Sequence, residues 1–244
     1  NKAGLEQLAE KYGKASKTET EEKLLQGKAR RKKLKHYSAA TFYYEGEWYW
    51  GVDRLYHLEH RLKSLGIGKS DAMISSRPRI LSEFSDKVEQ MTLEFYVSLR
   101  SPYTAIAWDP TLRLVKDSGI KLVVRPVLPM VMRGVPATSE KKFYIATDVA
   151  REAKYLDTEY GNFYDPIGEP VMRGYSLYIW ALSQDKGNNL IGAFLKAAFA
   201  RGINTNSASG LKKVIEMAGL DWQEAKHHLN DDTWQELLEE NRLA

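Results

Sequence analysis

The sequence predicts an α/β protein: a parallel βαβ unit in its second half, embedded in a chain that is otherwise mostly helical. Two observations carry this. "MTLEFYVSL" (91–99) and "IKLVVRPVL" (120–128) are short apolar, β-branched runs of strand length. The segment between them reads as a helix opening at Ser101-Pro102, because proline suits the first turn of a helix. Two strands joined by one helix are expected to lie parallel.

The other elements follow in chain order. Residues 3–13 place Leu5, Leu8, Ala9 and Tyr12 at helical spacing, with Gly13 as C-cap. A second, basic helix runs to about Lys35. In "ATFYYEGEWYWG" aromatic residues flank Glu45-Gly46-Glu47, the pattern of a tight hairpin. Beyond Gly51 a helix carries Leu55, Leu58 and Leu62 on one face. Residues 66–90 hold Gly, Ser and Pro and read as a connector. After the second strand, helices are expected over 139–160, as one long helix over 175–201, and over 209–220 and 233–244. The long helix carries Trp180, Ala181, Ile191, Phe194, Leu195 and Ala198 as a core stripe.

Composition narrows the chemistry. The chain has 244 residues and no cysteine. Thiol–disulfide exchange needs a thiolate, so its own side chains cannot perform it. Lack of cysteine also suits the cytoplasm, and cytoplasmic is the expected location. No signal-peptide pattern and no run of membrane-spanning length is present. The chain does not open with Met, a mark of processing, trimming or a fragment. Its net charge of +4 is concentrated in "KARRKKLKH" (28–36). That run reads better as a solvated helix face than as a nucleic-acid patch, since no stacking aromatic interrupts it before Tyr37. His57 and His60 share one helix and His227 and His228 are adjacent; neither pair is a metal site without further ligands.

"AGLEQLAEKYG", from Ala3, is echoed by "SGLKKVIEMAG", from Ser209. Gly4 matches Gly210, Leu5 matches Leu211 and Gly13 matches Gly219. We read this as a tandem repeat of two homologous domains. Residues 1–65 would be the C-terminal part of a first repeat and 66–90 a linker. Residues 91–244 would be a second repeat, with a helical insertion at about 135–200 and without its closing hairpin.

With these pieces in place, the sequence resembles the DsbA-like thioredoxin superfamily, and within it 2-hydroxychromene-2-carboxylate isomerase and kappa-class glutathione transferase. "FYVSLRSPYTAIAW" (95–108) is similar to their strand-to-helix turn, with Ser101 where a redox cysteine would stand. "RPVLPMVMRGVP" (125–136), "KKFYIATDVAREAK" (141–154) and "TFYYEGEWYWGVDRL" (41–55) resemble their second strand, first insert helix and closing hairpin. The resemblance implies a thioredoxin-like fold with an all-helical insertion. It also implies glutathione as cofactor and a small-molecule electrophile as partner.

In that family the turn serine hydrogen-bonds the glutathione sulfur, which assigns Ser101 as catalytic, with Pro102, Tyr103 and Arg100 around it. Lys141 matches a lysine on the glutathione backbone. Asp53 matches an acceptor for the γ-glutamyl amine, beside Trp50 and Arg54. Plain structural readings stand next to these: Ser101 as an N-cap, Lys141 as a solvated lysine, and Asp53-Arg54 as a helix cap.

The sequence also departs from the family. Ala40 stands where a cis-proline is expected. Arg133 occupies the loop that should carry an asparagine, and Ser98 replaces an often acidic residue. Asp53 and Ser101 fall in different repeats and share a site only if residues 39–65 complete the second unit, as in a circular permutation. Two function readings result: a glutathione-dependent isomerase or transferase, and a degenerate, non-catalytic module for binding or for assembly with the homologous repeat or a second copy. A superfamily label would read oxidoreductase. No membrane partner is expected, and nucleic acid is the least favoured partner.

Overall fold

The structure is a computed structural model, described here for residues 2–70, 72–77 and 83–244. The chain divides into two compact units. One comprises residues up to Ser75 together with Thr138–Tyr144; the other comprises Ser76–Ala137 and Ile145–Ala244.

The first unit opens with helices α1 (Lys2–Tyr12) and α2 (Lys17–Lys33). Ser16 starts α2 with a reciprocal capping box. Its hydroxyl accepts from the Glu19 N–H at 3.2 Å, and the Glu19 carboxylate accepts from the Ser16 N–H at 2.8 Å. Strands β1 (Thr41–Tyr44) and β2 (Glu47–Trp50) form an antiparallel hairpin, with Tyr44 opposite Glu47. Glu45 and Gly46 both have positive φ, as a two-residue turn of the hairpin-favouring type requires. Helix α3 (Leu55–Ser64) follows a single 3-10 turn at Val52–Arg54.

In the second unit, β3 (Thr92–Val97) and β4 (Lys121–Pro126) pair in parallel, connected by α4 (Pro102–Ser118). This is the expected βαβ unit, and α4 ends on Gly119 in the left-handed region, as a C-cap glycine should. Helix α5 (Ser139–Leu156) starts in the first unit and continues in the second. Then come α6 (Glu169–Ser183), α7 (Gly187–Phe199), α8 (Ala208–Met217), the four-residue α9 (Trp222–Ala225) and α10 (Trp234–Leu243).

The single helix expected over 175–201 is two helices. The chain turns at Gln184-Asp185-Lys186, where Asp185 takes φ +55° and the Lys186 N–H returns to the Ala181 carbonyl. Aspartate tolerates the left-handed region better than most residues, so the apolar stripe continues while the backbone does not. All six expected stripe residues are nonetheless buried in one core. In that core α7 packs against α4, α6 and α8, and α10 packs against β4 and α6.

Among the described residues the strands form two two-stranded sheets, the hairpin and the β3–β4 pair. No helix among the described residues is long and apolar enough to cross a membrane.

Candidate functional site

In the second unit, β3 ends at Val97 and α4 begins at Pro102. The intervening turn is pinned from below by Tyr175 on α6. The Tyr175 hydroxyl accepts from the Leu99 N–H at 3.2 Å and donates to the Val127 carbonyl at 2.7 Å. One buried phenol thus ties together the carboxyl ends of both strands. Burial pushes its pKa up, so it stays a neutral donor. Open α/β sheets bind ligands at this end of their strands.

Ser101 is the N-cap of α4. Its hydroxyl oxygen accepts from the Thr104 N–H at 3.1 Å, and Pro102 occupies the first turn. That cap satisfies one of the four free N–H groups at the helix start. Among the described residues the Ser101 hydroxyl donates to no acceptor, and the residue is half-buried. Among the described residues its proton therefore has no acceptor, at the positive end of a 17-residue helix.

Two neighbours of Ser101 are already engaged. Arg100 meets Asp165 in a two-pronged pair, with Nε and Nη2 each 2.6 Å from a carboxylate oxygen. Tyr103 donates its hydroxyl to Asp148 at 2.7 Å. Asp148 lies fully buried on α5, and Arg151 approaches its other oxygen at 3.5 Å. One turn on, buried Glu152 pairs with Arg77 at 3.0 Å, whose guanidinium stacks 4.3 Å over the Tyr155 ring. Sequence reasoning missed this buried polar row. The available signal was Asp148, Arg151, Glu152 and Tyr155 at helical spacing beside the apolar Ile145, Val149 and Ala153.

The other expected site residues lie in the first unit. Trp50, at the end of β2, donates its backbone N–H to the Tyr144 hydroxyl at 3.0 Å, and its ring meets Tyr37 and Tyr144 edge-on. Lys141 holds its ammonium 5.8 Å from the Tyr37 ring centroid, within cation–π reach. Asp53 folds back over Gly51, where an added Cβ would lie 2.5 Å from the Asp53 Oδ1. Gly51 has φ +84°, the left-handed region that favours glycine. Asp53 pairs with the adjacent Arg54 at 2.7 Å. The expectation that Asp53 caps the last helix is corrected: α3 starts at Arg54 as N-cap with no side-chain cap bond. Ala40, at the expected cis-proline position, takes φ +53°, and its carbonyl accepts from the Gly51 N–H at 3.0 Å.

His36 is the buried centre of this aromatic group, 4.5 Å from the Trp48 centroid and 5.0 Å from that of Tyr144. Burial lowers its pKa, the Arg31 charge adds to that, and a bond to the Ser38 backbone opposes it. Arg133 lines an open groove of about 680 Å³ beyond the end of β4, with Leu128, Met132, Met172, Trp234 and Leu238. No group of His, Asp or Glu among the described residues is arranged to hold a metal ion.

The second unit is therefore a thioredoxin-type βαβ core, with a capped serine at its strand-to-helix turn. The comparison of families agrees. Residues 92–244 match the DSBA-like thioredoxin domain, and the chain belongs to that family. Among solved structures it is similar to a 2-hydroxychromene-2-carboxylate isomerase. That match has TM-score 0.50 and 19% identity, covering 62% of this chain and 77% of the other. It also matches a probable DsbA oxidoreductase from Streptomyces coelicolor, with TM-score 0.47 and 17% identity, covering 62% and 73%. No curated protein matches.

Proposed function

We propose that the chain binds glutathione with its sulfur at Ser101 and acts as a glutathione-dependent isomerase or transferase. One observation carries the reading. The Ser101 hydroxyl is fixed by accepting from the Thr104 N–H, while its own proton is uncommitted at a helix N-terminus. A hydroxyl so held can donate to a thiolate, and the helix dipole lowers the cost of the negative charge.

The bound thiolate attacks an electrophilic carbon and forms a C–S bond, its electron pair supplying the bond. In a transfer reaction the product keeps that bond, and the displaced electrons leave with the leaving group or take up a proton. In an isomerisation the thiolate adds to a conjugated double bond, the resulting single bond rotates, and expulsion of the thiolate restores the double bond. Pro102 and Tyr103 shape the turn, and Arg100, held by Asp165, braces it. Roles for Lys141, Trp50, Asp53 and Arg54 in holding the tripeptide rest on the family resemblance. A cytoplasmic setting fits a reaction that needs reduced glutathione.

A second reading, a non-catalytic binding or assembly module, is favoured by the Asp53–Arg54 pair, in which one oxygen of the carboxylate meant for the γ-glutamyl amine already meets a cation. A thermal melt with millimolar glutathione separates the two. A ligand at 100 times its Kd adds about 2.7 kcal/mol of stability. The enzyme reading predicts a shift that Ser101→Ala removes or weakens; no shift favours the module.

A further inference from the structure

Helix α1 presents Leu5, Leu8 and Tyr12 on one face, each more than half exposed, and α2 adds Leu24 and Leu25 at 67% exposure. Neither helix has a buried residue. An isolated helix of 11 residues is marginal in water, because packing of an apolar face supplies most helix stability. A stripe of this kind without a cover calls for one.

The molecule itself indicates what the cover is. Helix α1 aligns with α8 without gaps: Gly4 with Gly210, Leu5 with Leu211, Leu8 with Val214, Ala9 with Ile215, and capping Gly13 with Gly219. Both cap glycines take the same left-handed conformation, φ +81° and +72°. In α8, Leu211, Val214 and Ile215 are fully buried in one cluster with Leu190, Phe194 and Leu195 of α7. Gly210 is required there, since an added Cβ would fall 1.9 Å from the Asn204 carbonyl oxygen in the α7–α8 connection. An added Cβ at Gly4 meets nothing within 4 Å. Helix α1 thus repeats the apolar and glycine positions of α8, while its Leu5, Leu8 and Tyr12 stay exposed among the described residues.

We infer that the apolar face of α1, extended by Leu24 and Leu25 of α2, is a docking surface for an α7-type helix of a further DsbA-like domain. The occupant is an apolar helix with small residues between its large ones, as α7 has Ala193, Ala197 and Ala198 between Leu190, Phe194, Leu195 and Phe199. The partner is a domain whose α7-type helix lacks an α8 of its own, and so is not a second copy of this chain, whose α7 is already covered by α8.

The test uses the full chain and a fluorescently labelled peptide with the sequence of residues 186–201. Helix-in-groove recognition predicts saturable binding. The double variant Leu5→Glu, Leu8→Glu, altered only at exposed positions, should weaken it by at least about tenfold. A peptide carrying Leu190→Glu and Phe194→Glu should not bind. Absence of binding, or binding that the α1 substitutions leave unchanged, overturns the assignment. Sedimentation of the chain alone provides the remaining check: a dimer dispersed by the same two substitutions would make a second copy the occupant and also overturn it.

Discussion

Each of the two units is stabilised internally by different means. The second is built on a continuous apolar layer, in which Val97, Leu177, Ile191, Phe194, Leu211 and Val214 are all fully buried. In the first, His36, Tyr49, Tyr56 and Tyr144 are the buried residues among those described. Ring contacts and a few directed bonds do the work there: Trp50 N–H to Tyr144, the Trp48 indole to the Leu34 carbonyl, and Arg61 to the hairpin carbonyls at Tyr44 and Glu45. An aliphatic layer tolerates no lost volume. An aromatic cluster with a buried imidazole is sensitive instead to protonation.

The largest expected effect separates matched positions. Leu211→Ala should cost about 2–5 kcal/mol, because it opens a cavity beside α7. Leu5→Ala, its counterpart in α1, should change the stability of the isolated chain by less than about 0.5 kcal/mol. Chemical denaturation of both variants checks the contrast, and equal losses would break it. Next in size, Tyr175→Phe leaves the Leu99 N–H and the Val127 carbonyl without their shared partner. A loss of about 2–3 kcal/mol is expected, measured by the same denaturation. A loss near zero would mean that the phenol does not brace the turn.

The smallest effect belongs to the first unit. The His36 pKa is lowered in the folded state from its ordinary 6.5. Below pH 6.5 the unfolded chain therefore binds a proton that the folded chain resists, and stability falls as the pH drops toward the folded pKa. Above 6.5 this residue contributes no slope. Hairpin melting followed by tryptophan fluorescence should show that decline, and His36→Phe should flatten it. An unchanged slope in the variant would remove His36 as the cause.

Where local pattern and packing agree, the fold was legible in the sequence. The βαβ unit, the Ser101 cap, the hairpin and the helix at 209–220 all follow from spacing, cap residues and turn residues. The break between α6 and α7 was overlooked because the apolar period resumes in phase after Asp185, so the stripe hid the turn. The site was legible only in part. Ser101 announced itself by its place before Pro102, but the Asp165 partner of Arg100 lies 65 residues away and the Asp148 partner of Tyr103 lies 45 away. Such pairings depend on how α5 and the loop before α6 return to the turn, which no local pattern encodes. Asp53 suited a cap by residue type and fails for a local reason instead: its side chain turns to its neighbours Gly51 and Arg54, and a 3-10 turn precedes α3.

The central claim is that Ser101 stabilises a thiolate, and the bound sulfur itself reports on it most directly. Ultraviolet thiolate absorbance of glutathione, titrated against pH with the protein in excess, gives the pKa of the bound thiol. A free thiol titrates near ~8.5. With Ser101 present the bound thiol should titrate at least about one unit lower, and Ser101→Ala should return it toward the free value. A bound thiol that titrates like the free one, or a fall that persists in the variant, would contradict the account.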